Sequence, residues 1–132
     1  MEIMETEAEI LVVDDEPAVA LAITTALKFC GYAVVAVSSG EEALEHVRAE
    51  PGRFPIILSD HNMPGLGGVA LVRALHEIGY GGRILILSAF LSCDLETQYK
   101  ALGVDQILAK PFDLRGLRLA LDRLLHPAEC AS

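Results

Sequence analysis

Five short, largely apolar runs recur along this chain, and each is followed by a stretch with helical periodicity. The runs lie at 10–13, 33–37, 56–60, 84–87 and 106–109. Because they do not alternate between apolar and polar residues, they are typical of strands that are covered on both faces of a parallel sheet. Right-handed crossovers distribute the helices over those two faces. The pattern predicts an α/β fold, a three-layer sandwich with a five-stranded parallel sheet and five helices.

The helices are marked by the spacing of their apolar residues and by the residues at their ends. The first is expected over 17–30, and the fourth, the most polar, over 93–102. Ser39 stands three residues before Glu42, which is the spacing of a capping box, and it opens the second helix. The third follows a glycine-rich loop. The last has the clearest apolar face, formed by Leu114, Leu117, Leu121 and Leu124.

Length and composition exclude several classes of protein. The 132 residues are expected to form a single domain, 1–132, with its core at about 8–126 and a short tail at each end. No apolar run approaches the ~20 residues of a membrane span, and the acidic N-terminus does not resemble a signal peptide. A net charge of -9 argues against direct binding of nucleic acid. Three widely spaced cysteines suit the reducing cytoplasm.

Polar side chains stand where four of the predicted strands end. Asp14 and Asp15 follow the first strand, and the third, fourth and fifth lead to Asp60, Ser88 and Lys110. Parallel strands joined by such crossovers end at the same edge of the sheet, so these side chains are expected to converge. Taken alone, Asp60 is as well explained by the start of a turn. The residues at the other strand ends favour a functional site.

This set of residues favours a divalent cation and phosphoryl chemistry. Neighbouring carboxylates oppose each other's ionisation, and a bound cation relieves the repulsion. Oxygen ligands favour Mg²⁺, Mn²⁺ or Ca²⁺ over Zn²⁺, and a site with two or three carboxylates suits Mg²⁺. Lys110 can hold one phosphoryl oxygen, and Ser88 can donate a hydrogen bond to another. A carboxylate in such surroundings is equipped to attack phosphorus and become an aspartyl phosphate.

In order and spacing, these residues resemble the receiver domain of two-component response regulators, the CheY-like family, over roughly residues 8–126. The resemblance implies a flavodoxin-like (βα)5 fold with strand order 2-1-3-4-5. It also implies that Asp60 is the phosphoacceptor and that Ser88 and Lys110 grip the phosphoryl group. The donor would be a phosphohistidine on a sensor histidine kinase or a histidine phosphotransfer protein. Such a domain catalyses its own phosphorylation and dephosphorylation without being a conventional enzyme.

The same resemblance implies a set of metal ligands. Mg²⁺ would be bound by the carboxylates of Asp15 and Asp60 and by the backbone carbonyl of Asn62. Asp14 would act mainly through a coordinated water. Mn²⁺ can take the same ligands.

The resemblance also implies where partners bind. A downstream protein or an output domain would contact the face formed by residues 93–125, through which family members often pair as well. Family members usually have a cis peptide bond between the lysine and the following proline, so Lys110-Pro111 is expected to be cis. Neither a membrane nor a nucleic acid is expected as a direct partner, and the cytoplasm is the expected location.

One position departs from the family pattern. Receivers commonly carry Tyr or Phe three residues before the lysine, and Ile107 stands there. In the family this ring swings inward when the serine or threonine binds the phosphoryl group, and an aliphatic side chain cannot make that movement. Phosphorylation is therefore expected to reshape the loop from Ser88 to Cys93 and the next helix without the movement of an aromatic ring. Phe90 either screens the acyl phosphate from water or packs on the loop or a partner. His61 is expected at the surface.

Two classes of function stay open. The first is a phosphorylation-switched signalling module, and the second is a constitutive interaction domain that no longer depends on phosphate. The intact set of strand-end residues favours the first. A metal-dependent phosphohydrolase is a distant third, because Asn62 stands where such enzymes usually have a second aspartate. The chain is either a stand-alone receiver or a piece of a longer regulator or hybrid kinase, and its sequence does not choose between them.

Overall fold

The computed structural model describes residues 9–63, 65–89, 92–110 and 112–125. Five strands and five helices alternate along them. The strands are β1 (Glu9–Val13), β2 (Ala33–Val37), β3 (Ile56–Asp60), β4 (Arg83–Ser88) and β5 (Gln106–Ala109). The helices are α1 (Pro17–Phe29), α2 (Gly40–Ala49), α3 (Gly68–Glu77), α4 (Cys93–Ala101) and α5 (Leu114–Leu125). The bounds expected for β1, α1 and α4 differ from these by one residue at one end, and those expected for β4 differ by one residue at each end.

The strands form one parallel sheet in the order β2-β1-β3-β4-β5, which confirms the predicted fold. Ile57, in the central strand β3, is paired with Leu11 of β1 on one side and with Ile84 of β4 on the other. All five residues of β3 are buried. Since Asp60 is its last residue, that carboxylate lies in the middle of the carboxyl edge of the sheet.

Buried apolar side chains cover both faces of the sheet. Successive strand residues point to opposite faces, so Ile10 packs with α1 and α5 while Leu11 packs with α2, α3 and α4. Nearly every core strand position is therefore apolar, as a parallel sheet requires. Among the described helices, none has both the length and the apolar character needed to cross a lipid bilayer.

Serine side chains cap two of the helices. Ser39 Oγ accepts a hydrogen bond from the Glu42 N–H at 3.2 Å, and Ser92 Oγ accepts one from the Leu95 N–H at 3.1 Å. The carboxylate of Glu42 does not close the box on Ser39. It accepts from both the N–H and the hydroxyl of Ser38 instead. The predicted helix start is right, and its reciprocal hydrogen bond lies one residue earlier.

Candidate functional site

Three carboxylates meet where β1 and β3 end. Oxygen atoms of Asp14, Asp15 and Asp60 lie within 4.8 Å of one another. Asp14 and Asp60 are buried, and Asp15 is half-buried. The turn after β1 is closed by Asp14 itself, whose Oδ1 accepts a hydrogen bond from the Glu16 N–H at 2.9 Å. The fold thus concentrates negative charge at the topological switch point of the sheet.

Asp14 shows the electrostatic consequence most clearly. Burial raises the pKa of its carboxyl group, and the charges of Asp60 and Asp15 raise it further, against the opposing effects of the Glu16 N–H and Lys110. Its Oδ2 atom is buried and receives no hydrogen bond from the residues that the structure describes. A buried oxygen without a partner is costly, and a cation held by the neighbouring carboxylates would satisfy it. The donor set therefore fits a hard divalent cation such as Mg²⁺.

Lys110 brings a positive charge to the same place. Its Nζ donates a hydrogen bond to Asp60 Oδ1 at 2.7 Å, and its backbone N–H donates to the carbonyl of Ser88 at 2.8 Å. Ser88 is buried at the end of β4, beside Ala109 of β5. The lysine therefore links the end of the central strand to the ends of β4 and β5.

Two cavities adjoin at this edge of the sheet. A polar one of about 270 Å³ is lined by Asp15, Glu16, Asp60, Asn62, Ala89 and Lys110. A larger one of about 740 Å³ runs between α1 and α5 and has mostly apolar walls, including those of Val19, Ile23 and Leu117. The two share Glu16, Ala89 and Lys110. An apolar groove thus leads directly to the carboxylates.

The structure brings the residues expected at the strand ends to one edge. Asp14, Asp15, Asp60 and Lys110 cluster, Ser88 ends the neighbouring strand, and Asn62 is exposed on the wall of the polar cavity. Their roles as nucleophile, metal ligands and phosphoryl clamps stay predictions. Phe90 and Pro111 lie outside the described residues, so the screening ring and the cis peptide bond stay predictions as well.

The expectation that His61 lies at the surface is wrong. The residue is half-buried, and its Nδ1 is 2.5 Å from the hydroxyl oxygen of Tyr99 on α4. The two rings meet edge to face, with their centroids 5.5 Å apart. Leu95, Tyr99 and Leu102 are spaced to form one apolar stripe of the helix, so the inward position of Tyr99 was predictable from the sequence. Its partner was not, because 38 residues separate the two along the chain.

Replacing Asp14 by Asn is expected to stabilise the cation-free protein at neutral pH by roughly 0.5–2 kcal/mol. A carboxyl whose pKa is raised in the folded state binds its proton more tightly there than in the unfolded chain. Its ionisation therefore destabilises the fold as pH rises from the unfolded pKa through the folded one. Urea unfolding in EDTA checks this, since the gain must disappear in acid. If Asp14→Asn were less stable than the wild type at neutral pH, the explanation by burial and by repulsion among the carboxylates would be wrong.

Asp14→Asn is also expected to weaken the stabilisation that added Mg²⁺ gives. Ligand binding to the folded state raises the free energy of unfolding according to the affinity for the ligand, and the variant lacks one of the charges that attract the cation. Urea titrations of both proteins at increasing MgCl₂ measure the difference. If added Mg²⁺ raised the free energy of unfolding equally in the wild type and the variant, the cation would have to bind elsewhere.

Comparisons with known proteins agree with this geometry. The family model described as response regulator receiver domain matches residues 10–122. Sporulation initiation phosphotransferase F of Bacillus subtilis is 29% identical over 117 residues, which are 89% of this chain and 93% of that relative. Transcriptional regulatory protein PrrA of Mycobacterium tuberculosis is 35% identical over 121 residues, 92% of this chain and 51% of that relative. The chain thus spans about half the length of that regulator.

Solved structures show the same similarity. The chemotaxis protein CheY4 of Vibrio cholerae superposes with a TM-score of 0.83 at 32% identity, over 90% of this chain and 99% of that one. A response regulator receiver domain protein of Clostridium thermocellum superposes with a TM-score of 0.85 at 25% identity, over 95% of this chain and 99% of that one. In both cases nearly the whole of the known chain is matched.

Proposed function

Since this chain belongs to the response regulator receiver family of two-component systems, we propose that it is a phosphorylation-switched signalling domain whose phosphoacceptor is Asp60. The observation that carries this proposal is the place of Asp60 in the fold. Its carboxylate ends the central strand, 2.7 Å from the Lys110 ammonium, and lines a cavity that opens to solvent. Two further carboxylates adjoin it. This is a suitable site for a carboxylate nucleophile that receives a doubly charged group.

Mg²⁺ would be held by the carboxylates of Asp15 and Asp60 and by the carbonyl of Asn62, with Asp14 acting mainly through a coordinated water. The buried, unpartnered Asp14 Oδ2 supports this ligand set. When bound, the cation neutralises charge on the phosphoryl oxygens. Mn²⁺ has the same preference for oxygen ligands and can take the same place.

The reaction follows from the residues around Asp60. One of its carboxylate oxygens forms a bond to phosphorus while the bond from phosphorus to the donor breaks, and the leaving atom of the donor keeps the electron pair. Phosphorylation of the carboxylate removes the negative charge that Lys110 contacts in the resting state. The ammonium then moves to a phosphoryl oxygen, and the Ser88 hydroxyl donates to another. Attack of water on the same phosphorus releases inorganic phosphate and restores Asp60.

The donor that we infer is a phosphohistidine on a sensor histidine kinase or a histidine phosphotransfer protein. Its imidazole must reach Asp60 through the polar cavity, and the apolar groove between α1 and α5 opens into that cavity. A helix that carries the phosphohistidine could lay an apolar side into this groove. Such a helix would cover only the side of α5 that faces α1, so the rest of the face of residues 93–125 would remain accessible to a downstream protein, to an output domain or to a second copy of the chain.

Intact mass after incubation with acetyl phosphate and Mg²⁺ tests the proposal. We expect a single gain of ~80 Da, the mass of one phosphoryl group, and no gain when EDTA replaces Mg²⁺. Beryllofluoride, which mimics the phosphoryl group, should bind under the same conditions. A protein that gains no mass and binds no beryllofluoride would instead be a phosphate-independent interaction module.

A further inference from the structure

Helix α4 is held to the sheet mainly by one aromatic side chain. Of its residues, all of which belong to the described part of the chain, Tyr99 alone is buried, with no exposed surface. Leu95 and Leu102 pack only partly against the same core. The other residues of the helix are exposed, apart from the half-buried Glu96. The position of α4 against the sheet therefore depends strongly on where the Tyr99 ring sits.

The Tyr99 hydroxyl meets the residue that follows the phosphoacceptor. Burial raises the pKa of this phenol above its ordinary value, and the charge of Asp60 adds to the effect, so the hydroxyl keeps its proton. It lies 2.5 Å from His61 Nδ1, and the two atoms share a hydrogen bond. A short, partly buried contact thus joins α4 to the loop between Asp60 and Asn62.

Two backbone hydrogen bonds also connect His61 to β4 and α3. The His61 N–H donates to the carbonyl of Leu87 at 2.8 Å, and the His61 carbonyl accepts from the Gly68 N–H at 3.1 Å. Gly68, the first residue of α3, leaves the space that the Tyr99 hydroxyl fills. A Cβ atom there would overlap the hydroxyl oxygen and lie 3.1 Å from His61 Cα. His61 is therefore fixed on three sides, by β4, α3 and α4.

We propose that Tyr99 and His61 form the link that couples α4 to the phosphoacceptor loop, and that Tyr99 supplies from α4 the aromatic group that β5 lacks at Ile107. The inference rests on the proposed function. A shift of the backbone on either side of His61 when Asp60 is phosphorylated must strain or break this contact, and α4 must respond. Because coupling is reciprocal, a partner that binds α4 changes the affinity of the site for its ligands.

Tyr99→Phe tests the link by removing one oxygen atom. Tyr80→Phe is the matched control, since that buried hydroxyl donates to the Phe54 carbonyl at 3.0 Å near the start of β3, away from the carboxyl edge. Amide hydrogen exchange is measured on each protein with and without Mg²⁺ and beryllofluoride. We expect the response of residues 93–101 to be preserved in Tyr80→Phe and to fall about fivefold or more in Tyr99→Phe. Residues 14–16 should respond in all three proteins.

A response of α4 in Tyr99→Phe equal to that of the wild type would overturn the link. His61→Leu removes the same hydrogen bond from the other side and must reduce the α4 response as well, which covers the case that one variant does not fold. If beryllofluoride does not change the hydrogen exchange of residues 14–16 in the wild type, the result counts against the proposed function itself. The link is then tested on the ligand-free proteins, in which the His61 and Gly68 amides must exchange about fivefold faster in Tyr99→Phe than in the wild type.

Discussion

Asp60→Asn is expected to lower the uptake of phosphoryl groups from acetyl phosphate by a factor of at least about 10³. The carboxamide keeps the shape of the side chain but is a poor nucleophile, and it cannot form the acyl phosphate that the carboxylate forms. It also loses the charge that Lys110 contacts at 2.7 Å. Intact mass measured over time, with Mg²⁺ present, should show the ~80 Da gain in the wild type only.

Asp105→Asn is the control for this change. Its carboxylate lies at the amino-terminal edge of the sheet, where Oδ2 accepts a hydrogen bond from the Ile84 N–H at 3.0 Å. The same loss of one negative charge should leave phosphoryl uptake at the wild-type rate. If Asp60→Asn took up phosphoryl groups at the wild-type rate, the acceptor would have to be another carboxylate. Asp14 and Asp15 are the nearest ones.

Gly68→Ala is expected to lower the free energy of unfolding by about 1–3 kcal/mol, the usual cost of an atom forced into a packed site. The added Cβ would overlap the Tyr99 hydroxyl, and His61 Cα, 3.1 Å away, belongs to a backbone that is hydrogen-bonded on both sides. Urea denaturation measures the change. Gly52→Ala provides the control, because no atom of the residues that the structure describes lies within 4 Å of a Cβ built there. That substitution should be neutral or slightly stabilising.

The loss in Gly68→Ala should shrink when Tyr99 is changed to Phe. Removing the hydroxyl relieves the closest overlap, so the cost of the alanine should be at least about 1 kcal/mol smaller in the double variant than in the single one. The four proteins of this cycle are compared by the same urea titration. Strictly additive costs would show that Gly68 and Tyr99 do not compete for the same space.

The fold was predictable because its information is local. Each strand is largely apolar, and Ser39 and Ser92 stand at the helix starts that the structure shows. The convergence of Asp14, Asp15 and Asp60 follows from the topology, since all parallel strands joined by right-handed crossovers end at one edge. No long-range contact has to be known for either inference. The chemistry assigned to these residues remains a proposal.

The side-chain contacts between elements could not be predicted, because they depend on how the helices are tilted and rotated against the sheet. The apolar stripe of α4 predicts that Tyr99 points inward, but the residue that its hydroxyl meets depends on the tilt of the helix and on the missing side chain of Gly68. A histidine next to a site residue gives no sign by itself that it faces the core. The 2.7 Å pair between Lys110 and Asp60 is likewise a result of packing, since topology places the two at the same edge without a distance.

If Asp60 is the phosphoacceptor, the ion pair between Lys110 and Asp60 also makes the resting domain selective among reagents. The lysine is mostly buried, and its ammonium lies against a carboxylate that loses its charge when it is phosphorylated. A reagent that brings anionic oxygens of its own offers the ammonium a new partner in exchange. A neutral electrophile offers no such partner, and its reaction with Asp60 would leave the mostly buried ammonium with only the neighbouring charges of Asp14 and Asp15, which is less favourable. The lysine is therefore expected to make uncharged reagents react with Asp60 less readily than phosphoryl donors do.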